Sequence, residues 1–398
     1  MNGALVAERV ARESYGRLLA LLAARTRDIA AAEDALAEAF AAALHAWPRT
    51  GAPERPEAWL FAAAKRKLID AARRARTASD AERALALIAE ELEGAREALP
   101  DRRLALLFAC AHPEIEEGAR TPLMLQSVLG FSAERIAAAF LVPPATMSQR
   151  LVRAKKGIAE AGIAFEAPGP DEWPARVAAV LEAIYATYAE GWADDAQVSM
   201  AAEGAWLCRV LASQLPEEPE ALGLLALVLH LEARRPARRV EGRFVPLEEQ
   251  DVALWRGDLI EEAEALLRQA AAFRRMGRFQ LEAAIQSAHE MRRRCGAADW
   301  KAIALLYDGL MAIAPSPVVA LNRAAAIART RGPEAGFAAL EALEAPVLRS
   351  YQPYWALRAD LLAKLGRSEE ARGAYDEAIA RERDAAVIRF LSERRAAL

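Results

Sequence analysis

Between Phe131 and Ile158 the chain reads FSAERIAAAFLVPPATMSQRLVRAKKGI, and from Val142 to Gly157 it holds Arg150, Arg153, Lys155 and Lys156 with no acid among them. Cations at such spacing bind phosphates, and Thr146, Ser148, Gln149 and Arg150 are types that hydrogen-bond base edges in a major groove. A second basic cluster, Lys65, Arg66, Lys67, Arg73, Arg74 and Arg76, is opposed locally only by Asp70. The solvated face of an ordinary amphipathic helix would carry either pattern. Covalent and acid–base chemistry have no comparable signal: there is no Gly-rich phosphate loop, no Ser/His/Asp or Cys/His grouping and no distinguishable carboxylate pair. No enzymatic activity is expected. His45, His112, His230 and His289 lack a carboxylate or cysteine pattern nearby in sequence, and Cys110, Cys208 and Cys295 lie far apart. Neither a metal, nor a cofactor, nor a disulfide framework is expected.

These residues need helices to position them. Ser132 suits the cap of one short helix, Leu141 and Val142 leave it, and Pro144 opens the next, which is the outline of a helix-turn-helix. On the second helix Met147, Leu151, Ala154 and Ile158 recur at spacings of four, three and four, so they form an inward stripe. Ser148, Gln149, Arg153, Lys155 and Lys156 fall on the opposite face, with Arg150 at its edge. The other basic cluster ends a helix that starts near Pro56, whose Trp59, Leu60, Ala63 and Ile69 can face a core. Residues 5–47 are helical in period, with an acidic start at Asp28, Glu33, Asp34 and Glu38 and an apolar face through Ile29, Leu36, Phe40 and Leu44 to Trp47. Pro48, Gly51, Pro53 and Pro56 break the chain.

With 398 residues the chain exceeds what one core supports, so more than one domain is expected. Its 54% hydrophobic content is rich in Ala, which favours closely packed helices and an all-α fold. No run is long enough to span a bilayer and no signal peptide precedes the first helix, so no membrane contact and a cytoplasmic location are expected. Residues 1–165 hold 23 Lys and Arg against 21 Asp and Glu, and the remainder 29 against 35, so the basic character is local. Trp173, Tyr185, Tyr188 and Trp192 sit at helical spacings suited to a core.

Taken in order, the acidic helix DIAAAEDALAEAF, the proline-broken loop, the helix PEAWLFAAAKRKLIDAARR, a charged linker and a helix-turn-helix ending RLVRAKKGI resemble an extracytoplasmic-function sigma factor. The stretch from LFACAHPEIEEGARTPL to AGIAF is similar to the subgroup in which a helical extension related to tetratricopeptide repeats follows. The resemblance implies two small helical domains, the second with the helix-turn-helix, and a tetratricopeptide-like helical domain. The expected limits are residues 1–76 and 101–165 for the first two and 176–398 for the third, with linkers at 77–100 and 166–175. It also implies that core RNA polymerase is met by the helix bearing Asp34 and Glu38. Lys65, Arg66, Lys67, Arg73 and Arg74 would lie along duplex and melted strand at the −10 element. Thr146, Ser148, Gln149 and Arg150 would read the −35 element, with Arg153, Lys155 and Lys156 on its phosphates. Ala37 and Arg66 depart from the Gln and Asn common at those places, and Cys110-Ala111 from a common Cys-Cys.

Further on, Trp355, Ala359, Leu362, Gly366, Ala371, Tyr375 and Ala378 match the large and small positions of a tetratricopeptide repeat, and Gly332 precedes Gly366 by the 34 residues of one such unit. Such helix pairs bind a protein partner or their own neighbour, so regulation of the sigma part is one expected role. Two other readings share the sequence: a helix-turn-helix regulator with a ligand- or partner-sensing domain, and a helical-repeat scaffold with a decayed sigma part.

Overall fold

The computed structural model describes residues 3–74, 102–140, 142–165, 173–193, 198–343 and 346–398. The expected linker at 77–100, together with Arg76 and Leu141, lies outside them, as do the side chains of Arg73, Arg74, Trp173 and Trp192. The described chain is almost entirely α-helical and divides into two compact units, residues 1–207 and 208–398. No helix among the described residues is long and apolar enough to cross a membrane.

In the first unit, α1 (Gly3–Thr26), α2 (Ile29–Thr50) and α3 (Pro56–Arg74) pack on one another. The periodicity over 5–47 is interrupted at Arg27, whose φ is 55°, and Asp28 restarts the helix by accepting from Ala31 N at 3.0 Å. Leu18, Leu22, Ile29, Leu36 and Leu60 are all fully buried between the three. Pro48 does not end α2: it sits in the last turn, and Gly51, at φ 80°, makes the break. A proline there forgoes only one bond, near the solvent-exposed end of the helix. Glu57, in the first turn of α3, accepts from Ser14 Oγ and Arg17, which fixes the start of α3 against α1.

Helices α4 (Arg103–Cys110), α5 (Glu117–Ser127), α6 (Ala133–Ala139) and α7 (Pro144–Ala161) follow. Ser132 Oγ accepts from Arg135 N at 3.3 Å and caps α6, and Pro144 is the first residue of α7. Met147, Leu151, Ala154 and Ile158 are all buried, as their spacing demands. Helix α4 packs on α1, and α2 on α7, so the helix-turn-helix and the first three helices form one body. Close approach is needed at Gly16 in α1, where a Cβ would overlap the Val128 carbonyl oxygen. Helix α8 (Trp173–Ala193) packs on α4 and α5, with Tyr188 fully buried.

The division into units falls within α9 (Val198–Gln214). In the second unit α10 (Pro219–Arg238) leads into a two-stranded antiparallel ribbon, β1 (Arg239–Val240) and β2 (Arg243–Phe244), the one sheet among the described residues. Then come α11 (Gly257–Ala272), α12 (Arg278–Cys295), α13 (Trp300–Ile313), α14 (Pro317–Arg331), α15 (Pro333–Glu341), α16 (Gln352–Lys364), α17 (Ser368–Ala380) and α18 (Ala385–Ala396). Gly332 and Gly366, with φ of 94° and 74°, end α14 and α16 ahead of the helices that pack back on them. Ala359, Leu362, Ala371, Tyr375 and Ala378 share one core cluster, with Trp355 against it.

Candidate polymerase- and promoter-binding surfaces

Helix α2 buries Ile29, Ala32, Ala35, Leu36, Ala39, Ala43 and Trp47, which turns Asp34, Ala37, Glu38 and Leu44 outward. Leu44 was expected in the core on periodicity; it is 51% exposed, because the small residues at 32, 35, 39 and 43 already fill the seam. The outward face is therefore acidic with one exposed leucine. A single exposed leucine is ordinary on a surface, so the distinguishing feature of this face is its acidic charge.

On α3, Leu60 and Ala64 are buried while Trp59, Ala63 and Ile69 are half-buried, and the Trp59 ring meets Trp47 edge-on at 5.5 Å. Arg66 and Lys67 are exposed, and Lys65 is half-buried. Burial, and next the neighbouring Arg25 guanidinium, hold the Lys65 ammonium below the ordinary lysine range. Lys67 Nζ lies 2.7 Å from Glu38 Oε2, so a residue expected on DNA is paired with one expected on polymerase. Both side chains are more than half exposed, and such a pair exchanges readily for another partner.

The exposed face of α7 presents Thr146, Ser148, Gln149, Val152, Arg153 and Lys156. Arg150 is half-buried and its Nη1 donates to Gly118 O at 3.3 Å, which holds the guanidinium back toward α5. Lys156 pairs with Glu160 at 3.3 Å, one turn on.

Lys155 departs from its expected place on phosphates. It is 9% exposed, and its ammonium donates to Glu33 Oε2 of α2. Glu33 Oε1 also accepts from Ser127 Oγ at 3.4 Å. The surroundings feel this carboxylate: burial first, then the Glu33 charge, pushes both the Tyr15 hydroxyl and the Cys110 thiol well above their usual ranges. A raised pKa makes Cys110 an inert packed thiol. Glu33 is thus a part-buried polar node joining α2 to α7. In the sequence Glu33 reads only as one of the acids at the start of α2, and nothing local marks a partner 122 residues away.

Comparisons with known proteins agree with this architecture. The family described as sigma-70 region 2 matches residues 10–78, spanning α1 to α3. A family of unknown function, DUF6596, matches residues 176–271. An uncharacterized protein of Rhizobium meliloti (strain 1021) is 41% identical over 369 residues, covering 89% of this chain and 86% of its own. No solved structure matches. The sigma-70 region 2 match supports a sigma-factor-like role in transcription initiation, involving core RNA polymerase and promoter DNA, for a family that is non-enzymatic. The chain belongs to the extracytoplasmic-function sigma factors that carry a C-terminal helical extension.

Proposed function

We propose that this chain docks on core polymerase through the outward face of α2, with Asp34, Glu38 and Leu44 in contact. Helix α3 then lies along the −10 element, where Lys65, Arg66, Lys67, Arg73 and Arg74 meet its backbone as the strands part. Helix α7 enters the −35 major groove N-terminus first, so Thr146, Ser148 and Gln149 reach base edges with Arg150 beside them. Arg153 and Lys156 hold phosphates. Lys155 joins them only after Glu33 releases it. The helical extension acts on this sigma part in cis or adds a polymerase contact, and the 34-residue step from Gly332 to Gly366 supports a tetratricopeptide-like packing there.

One observation carries the reading: the described face of α7 that is free of core contacts offers short polar side chains for its first two turns and cations after them, with its one acid, Glu160, near the end. That order supports the reading because it puts hydrogen-bonding side chains at the end of the helix that would enter a groove and cations where the flanking phosphates would lie. The docking half is tested by changing Asp34→Lys and Glu38→Lys together. Both residues are exposed, so melting should stay within a few degrees, while affinity for core polymerase should fall at least ~30-fold, as for like charges brought together in an interface. Undiminished affinity would rule out α2 as the docking element.

A further inference from the structure

We propose that His230, Glu264 and Glu290 form a binding site for a divalent transition-metal ion of the Zn2+ type. They stand on three helices, α10, α11 and α12, and can each offer a ligand atom with all such atoms within 4.8 Å of one another. His230 is fully buried, Glu290 nearly so, and the Glu264 side chain, 34% exposed, forms the open edge.

The backbone fixes this meeting. The Glu220 carboxylate accepts from Phe279 N and Gln280 N at 2.9 and 3.1 Å, satisfying the otherwise unpaired amides that start α12. Gly223 lets the two helices close up, since a Cβ there would meet Gln280 N at 2.7 Å. His230 and Glu290 each lie ten residues beyond that anchor, about 15 Å along either helix, so α10 and α12 run the same way in matched register.

His230 Nδ1 is 2.8 Å from Glu290 Oε2. With the proton on Nδ1, as that bond assigns it, Nε2 carries a lone pair. Nε2 is buried without a hydrogen-bond partner, and it faces Glu264 Oε1 at 4.0 Å. Glu290 Oε1 is likewise buried and unpartnered. Ser287 Oγ donates to Glu264 Oε1 and steadies that carboxylate. A buried lone pair on Nε2 with no donor to meet it is costly, and a cation held between Nε2 and Glu264 answers it, with Glu290 on Nδ1 as the orienting carboxylate. Zinc bonds of about 2.0–2.1 Å to nitrogen and 2.0–2.2 Å to oxygen can bridge a gap of this size. A carboxylate on the second ring nitrogen is the usual means of orienting a metal-bound histidine, and an imidazole donor selects a transition metal over Mg2+. Arg234, one turn on from His230, is engaged by Gln286 Oε1, to which it donates. A bound ion would clamp the first helices of the second unit.

The full chain, stripped with chelator, should bind one equivalent of Zn2+ in calorimetry with a Kd of about a micromolar or below, and its Tm should rise by several degrees at saturation. Glu264→Gln leaves the buried His–Glu pair in place and should weaken binding at least ~10-fold. His230→Gln should abolish it. If that variant does not fold, the Glu264→Gln titration and the wild-type melting shift decide. Absence of saturable Zn2+ binding by the wild-type chain, binding that Glu264→Gln leaves unchanged, or an equal shift with MgCl2 would each overturn the proposal.

Discussion

Changing Glu33→Gln should release α7 from α2. The substitution keeps the shape and removes the charge, leaving the Lys155 ammonium at a site where its side chain is only 11% exposed and Glu33 is its described partner. Stranding one member of a buried pair costs up to about 3–5 kcal/mol. The lysine can recover most of that only by turning to water, which means parting the two helices. Expected outcomes are a lower Tm for the first unit and a longer distance between labels at His45 on α2 and Glu160 on α7. Lys155 should then be free for phosphate, so promoter affinity in the presence of polymerase should rise. Glu33→Gln combined with Lys155→Met removes both charges and should restore much of the Tm, because no orphan remains. Unchanged melting and an unchanged label distance in the single variant would mean that the pair does not hold these helices together.

The second large effect belongs to Gln149. A side chain that hydrogen-bonds a base edge contributes about 1–3 kcal/mol of discrimination, so Gln149→Ala should flatten preference at one −35 base pair by roughly 5- to 150-fold. Arg153→Ala and Lys156→Ala should behave differently. Each removes a phosphate contact, so all promoters should weaken by a similar factor and the salt slope should drop by about 0.9. Arg150→Ala should fall between the two, since its guanidinium is partly engaged with the Gly118 carbonyl. A uniform loss on every promoter after Gln149→Ala would move base reading elsewhere on α7.

How much of this was legible in the sequence depended on whether the cause was local. The stripe Met147, Leu151, Ala154 and Ile158 has a period, and each of its members is buried. So does the acidic face of α2 that leaves Asp34 and Glu38 outside. Leu44 broke its pattern because burial depends on what the partner helices supply, and alanines had already closed the seam. Lys155 looked like one more cation on a basic helix; only the arrival of α2 gave it Glu33. The cluster at His230 was invisible for the same reason. Its carboxylates lie 34 and 60 residues onward on two other helices, and no spacing rule spans three helices. Tertiary contacts between charged groups therefore escape a reading that finds helices and their faces well.

The central claim is that one chain directs polymerase to a two-part promoter. The most direct measurement is transcription by purified core polymerase with and without the full chain, on a library of genomic promoter fragments. A small set of fragments should be transcribed only when the chain is present. Their −10 and −35 elements should stand at a fixed separation, with Gln149→Ala shifting which −35 sequences succeed. No chain-dependent transcript from any fragment, or transcripts indifferent to that separation, would contradict it.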